Sequence, residues 1–270
     1  MNRYIYTVVI FIITSAAPLV YGQNRPSKSI VNAPTTGMWN GFYGKFRLTN
    51  KIFWDAQFHY RRVGDDQLDY VGRMAQIYNR HALSYLVNNR FSVSLGGVLR
   101  LNFTPEPGNS NFRNVVLEPR IWHEYLFAMP LWNSMVYHRV RIEHRWSVGN
   151  ATDAEWMFRN RWRYKFYMNI PLNKPRLMPG ALYFTPDIEI IMQTGARVID
   201  SPLEDFRVNP SLGYIFNPNV KFTAGVMYTT GQTLSAGYVY TSRWILRTNL
   251  YISMDLRKKQ ARIPSTRFFD

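Results

Sequence analysis

The chain has 270 residues, 46 % of them hydrophobic and 16 % aromatic, with no cysteine and with 33 Lys plus Arg against 17 Asp plus Glu, a net charge of +16. The missing cysteines exclude a disulfide scaffold, a thiol nucleophile and any Cys-ligated metal centre. So large a charge suits nucleic acid only when gathered on one face of a recognisable module; here it is spread over many strand-like windows, and no nucleic-acid partner is expected.

Met1-Asn2-Arg3 is followed by an uncharged run from Tyr4 to Gly22 with an apolar centre, Val8 to Ile13. This pattern predicts a signal peptide over 1–22 and a mature chain of net charge +15 outside the cytoplasm. Residues 23–37 are rich in Pro, Ser, Thr and Asn and form a leader. No later segment approaches the 18 apolar residues of a membrane helix, so a membrane-spanning form must be a closed barrel, which satisfies its backbone within lipid.

From Met38 the chain alternates with period two, the period of a strand. In the window from Lys51 to Arg61, Ile52, Trp54, Ala56, Phe58 and Tyr60 oppose Asp55, Gln57, His59 and Arg61. From Arg90 to Phe103 the odd positions are apolar or Gly, and from Met135 to Trp146 the sequence opposes Val136, Val140, Ile142 and Trp146 to Arg139, Arg141, Glu143 and Arg145. Arg159, Arg161, Arg163 and Lys165 form one face of 156–170, while Asp187, Glu189 and Gln193 form one face of 182–194. The window from Arg243 to Leu256 aims Trp244, Leu246 and Leu250 outward.

Weaker windows lie at 38–48, 74–87, 115–127, 207–216 and 220–230, which brings the count to eleven. Connections at 49–50, 88–89 and 217–219 are tight, those at 62–71, 104–114, 147–155 and 195–206 are long, and those at 128–134 and 171–181 exceed ideal hairpins. Short turns alternating with long loops predict an all-β, transmembrane antiparallel barrel over 38–256, followed by a basic tail at 257–270. Bacterial single-chain barrels have an even strand count, so a twelfth strand is expected within Ser27 to Thr36, with ten strands as the alternative.

Orientation follows from cost. Turning Arg139, Arg141, Glu143 and Arg145 towards lipid would cost roughly 2–4 kcal/mol per basic residue near the midplane, so the arginine rows belong in the lumen. Glu118, Glu124, Asp187 and Glu189 project from neighbouring windows, and a ladder of internal salt bridges is the expected outcome. An anion-attracting constriction is the alternative.

For enzyme chemistry, His138 and His144 share the lipid-facing parity of their strand, and His59 lies on a window that is no sequence neighbour of Ser92 and Ser94. No phosphate loop and no His-Glu-x-x-His spacing occurs. No catalytic set, metal or cofactor is therefore expected.

The motifs Glu118-Pro119-Arg120-Ile121-Trp122, Arg139-Val140-Arg141-Ile142-Glu143-His144-Arg145-Trp146 and Arg159-Asn160-Arg161-Trp162-Arg163-Tyr164, with Trp39 upstream, resemble those of the DUF2490 family of outer-membrane barrels, found mostly in Bacteroidetes. The resemblance implies an integral outer-membrane location and a single barrel, and it brings no catalytic residue or ligand. The function expected is a non-enzymatic accessory or structural subunit of a cell-envelope complex, in contact with outer-membrane lipid, lipopolysaccharide and other envelope proteins. A small anion-preferring channel and a barrel-embedded lipid-modifying enzyme are the alternatives.

Overall fold

A computed structural model describes residues 35–195, 201–232 and 239–257. The expected signal peptide, the leader up to residue 34 and the tail beyond Arg257 lie outside the described residues. Among the described residues, alternating apolar and polar positions produce thirteen strand segments: β1 (Thr35–Arg47), β2 (Ile52–Val63), β3 (Arg73–Asn88), β4 (Phe91–Phe103), β5 (Val115–Leu131), β6 (Ser134–Ser147), β7 (Met157–Pro171), β8 (Leu182–Thr185), β9 (Asp187–Thr194), β10 (Leu203–Val208), β11 (Ser211–Asn217), β12 (Val220–Gln232) and β13 (Tyr240–Asp255).

These segments form eleven staves of a closed barrel. β8 with β9 makes one stave, interrupted at Pro186, and β10 with β11 makes the next, interrupted at Asn209-Pro210. The two breaks face each other, since Ser211 pairs with Thr185 and Val208 with Ile188. A proline has no N–H to give to the ladder. The alternation nevertheless keeps its phase: Thr185, Asp187, Asn209 and Ser211 are all buried.

Eleven staves replace the expected twelve, or ten. With an odd number the first and last strands must run the same way, and β1 pairs with β13 in parallel along its full length, from Thr35↔Arg243 to Arg47↔Asp255. No strand fits between them. Thr35 and Thr36, placed by expectation in a separate strand, open β1 itself. The remainder of that proposed strand lies outside the described residues.

One rim carries the connections 48–51, 89–90, 132–133, 172–181 and 218–219, and the opposite rim carries 64–72, 104–114 and 148–156 together with the ends of β9 and β12 and the starts of β10 and β13. Two expected loops are shorter than the sequence indicated. β5 and β6 extend into 128–134 until only Trp132 and Asn133 turn the chain, with Trp132 at φ 54° and 85 % exposed. β10 takes over 203–206 from the expected loop at 195–206.

The outer wall is apolar. Leu83, Leu95, Leu99, Ile121 and Leu246 form an exposed waist, with Leu95 at 63 %. Exposed aromatics flank it towards both rims, Trp146, Phe158 and Trp244 on the long-loop side and Tyr85, Phe127 and Phe216 on the tight-turn side. In a water-soluble barrel these side chains would impose a large solvation cost.

Candidate functional site

Inward positions of consecutive strands fall at one level, so the arginine rows of β6 and β7 meet the carboxylates of β5 and β9. The register opposes Glu124 to Arg141, Lys165 to Glu189, and Arg161 to both Glu143 and Gln193. From these placements a continuous chain of ion pairs crosses the lumen. Glu118 takes Arg100 at 2.9 Å, Arg120 at 2.6 Å and Arg145 at 3.0 Å. Arg120 also reaches Glu143 at 2.7 Å, and Glu143 takes Arg163 at 2.8 Å.

Arg163 continues to Glu189 at 2.8 Å, Glu189 to Arg139 at 2.6 Å and Arg139 to Glu124 at 3.6 Å, where Arg141 joins at 2.5 Å. Lys165 pairs with Asp187 at 2.5 Å. Glu143 is wholly enclosed, at 0 % exposure. Such a carboxylate is tolerable only because guanidinium donors replace its lost hydration.

Among the charged residues that the sequence directs into the lumen, Arg120 included by the parity of Glu118 and Glu124, Arg159 departs from the pattern. Its Nη1 donates to Gln193 Oε1 at 3.2 Å and its Nη2 to Ser147 Oγ at 3.4 Å, with no carboxylate among the described residues in ion-pair reach. Arg161 pairs mainly with Glu204, which also takes Arg145 at 3.0 Å.

Glu204 lies in the stretch 195–206 that the sequence assigns to a loop, so no parity is read there. The register shifts between Leu203 and Asp205, a bulge that turns two successive carboxylates away from the outer wall. Asp205 pairs with Arg207, and Arg207 reaches Glu189 at 3.3 Å. Arg80, in a weak window, and Trp122, an uncharged ring on the parity of Glu118 and Glu124, were also missed. The Trp122 ring is nearly fully buried, with the Arg141 guanidinium 4.4 Å and that of Arg80 5.6 Å from its centre. A buried inward Trp beside two arginine rows is a cation–π platform.

This layer separates two cavities that share no lining residue. The one towards the tight turns has a volume of about 170 Å³ and includes Lys45, Glu124, Arg141, Lys165 and Asp187 in its wall. The one towards the long loops has about 450 Å³ and includes Arg61, Glu118, Arg159, Glu204 and Arg243. Neither is lined by Glu143 or Glu189. Beyond the smaller cavity, Ala181, Tyr183 and Ile215 pack together with Leu177 of the 172–181 connection.

The histidines are distributed as parity dictates. His138 and His144 hydrogen-bond Tyr164 and Asn160 across the outer wall, at 2.8 and 2.7 Å. His59 lies inside with its ring 5.1 Å from Tyr43 and 5.9 Å from Tyr78, whereas Ser94 is 2.7 Å from Ser84, which donates to Asp55. Among the described residues no group of three or more His, Asp or Glu is arranged to hold a metal ion.

Comparison with known proteins adds a family. The model of a family described as "Protein of unknown function (DUF2490)" matches residues 36–240, well over half of the chain. No curated protein matches the sequence. Among solved structures the fold is similar to LpxR from Salmonella typhimurium, with 8 % identity, a TM-score of 0.42 and coverage of 75 % of this chain and 83 % of that one.

Proposed function

We propose, for this chain, which belongs to the DUF2490 family, a role as an integral outer-membrane barrel with a closed lumen, serving as a structural or accessory subunit of a cell-envelope complex. The apolar waist between aromatic bands supports insertion in a bilayer, where aromatic rings favour the two headgroup levels. Outer-membrane lipid and lipopolysaccharide are its expected surroundings, with other envelope proteins as partners.

The observation that carries the closed reading is the ion-pair chain from Glu118 through Glu143 and Glu189 to Glu124, which lies between two cavities with no wall residue in common. A diffusion channel needs a continuous aqueous path. Opening one here would require separating buried charges that now neutralise each other.

Planar-bilayer recording of the purified full chain tests this reading. No stable conductance is expected. A large, sustained conductance in the wild type would overturn the closed lumen, and anion selectivity that weakens on replacing Arg161 and Arg163 would establish the channel alternative instead. Separately, recovery of the chain in the soluble periplasmic fraction would overturn its membrane assignment.

A further inference from the structure

We infer that the cavity on the long-loop side is a binding site for a small polyanion bearing phosphate groups. Eleven arginines line it against three carboxylates, Glu118, Glu204 and Asp205. The enclosed Glu143 and Glu189 neutralise part of this excess from beneath. Arg61, Arg73, Arg159 and Arg243 remain, and none of these four has an ion pair among the described residues.

Two of them are built as receptors. The Arg61 guanidinium is stacked 3.6 Å from the centre of the Trp39 ring and 4.4 Å from that of Tyr78, and its Nη1 donates to Tyr78 Oη and Gln76 Oε1. Arg159 is 7 % exposed and anchored on Gln193 and Ser147. In both, Nε is buried without a hydrogen-bond partner, as it is in Arg100 of the same wall.

A guanidinium held in place by aromatic rings and neutral acceptors, with no carboxylate paired to it, keeps the charge and planar geometry that phosphate oxygens accept. Cationic charge withdrawn from water without an ion-pair partner is costly, and a bound anion relieves that cost. The volume of about 450 Å³ falls in the range of small-molecule sites, larger than a lone phosphate requires. The wall reaches Val148, Gly149 and Asn150 of a rim loop, so a phosphorylated solute and the phosphate headgroup of a lipid both remain sources of the same chemistry.

The blind end of the site rests on the closed-lumen reading, but its occupancy is measured independently: calorimetry reads binding, and bilayer recording reads conduction. The full chain in zwitterionic detergent at low salt is titrated with inorganic pyrophosphate. Saturable binding is expected. Arg61→Gln and Arg159→Gln should each weaken it about tenfold, Arg159→Lys should restore part of the loss, and Arg90→Gln on the opposite rim should leave it unchanged.

Should pyrophosphate fail to bind, the second arm compares thermal midpoints in nanodiscs of phosphatidylcholine with and without phosphatidic acid. Stabilisation by phosphatidic acid that requires Arg61 and Arg159 assigns the site to a lipid headgroup. Absence of both effects overturns the site, as does binding indifferent to both arginines in variants whose circular dichroism matches the wild type.

Discussion

Along β7 three successive inward arginines meet different fates. Arg163 lies between Glu143 and Glu189, Arg161 is held by Glu204, and Arg159, nearest the long-loop rim, reaches only Gln193 and Ser147. Alternation delivers all three to the lumen with equal certainty. What separates a structural plug from a receptive cavity is the local supply of carboxylates, which comes from other strands and, for Glu204, from a bulge. A row of like charges therefore has no single role, and its meaning changes within two residues.

The strongest way to break this comparison is to remove the carboxylate at the centre of the plug. Glu143→Gln keeps the shape but leaves Arg120 and Arg163 short of counter-charge, a loss on the order of 3–5 kcal/mol for a broken buried pair. Thermal unfolding in detergent should shift markedly downwards, while Asp66→Asn, in the exposed 64–72 loop, should stay near the wild type. Equal midpoints for the two variants would show that the plug is not what holds the lumen together.

Much of this architecture was legible because period-two patterning is local. The eleven windows recur as the eleven staves, and Arg139 to Arg145 and Arg159 to Lys165 lie on the faces their parity assigns. Strand number was misjudged by reasoning from the even count of bacterial barrels, whereas closure through a parallel β1–β13 seam is a long-range event with no local signature. Glu204 was hidden because 195–206 reads as a loop, so its side chain was assigned to no face of the wall. Arg80 was passed over because its window alternates weakly, and Trp122 because an apolar ring on the inward parity of Glu118 and Glu124 carries no charge to mark it. The carboxylate shortage around Arg159 depends on which strands face one another, so no run of residues announces it.

A smaller effect sharpens the same comparison from the other side. Arg159→Gln removes a buried charge that has no carboxylate partner and exchanges two neutral-acceptor hydrogen bonds for others, each worth about 1 kcal/mol. Its thermal midpoint in low-phosphate detergent should therefore not fall by more than about 1 kcal/mol in equivalent stability, in contrast to Glu143→Gln. A loss as large as that of Glu143→Gln would place Arg159 in the plug and remove the distinction between the two layers.

The smallest expected effect concerns a carboxylate stabilised without any arginine pair. Asp65 lies outside the strands in the 64–72 connection, where its Oδ1 accepts from the backbone N–H of Leu68 at 2.9 Å and of Gln67 at 3.1 Å. Those amides, Leu68 first, hold its carboxyl below the usual aspartate value. Because the folded value is depressed, the local contribution is fully present above the unfolded value, about 3.9, and is lost as pH falls through the folded one. Nuclear magnetic resonance of the micelle-bound chain should show Asp65 titrating below that reference. Protection of the Gln67 and Leu68 amides, relative to their intrinsic exchange rates, should decline over the same interval. Asp65→Asn retains an acceptor but cannot titrate, so this decline should vanish while the global unfolding midpoint stays unchanged. If the wild-type loop keeps its protection well below the folded value, the turn is held by its backbone bond from Asp65 N–H to Leu68 O, and carboxylate charge contributes nothing to it.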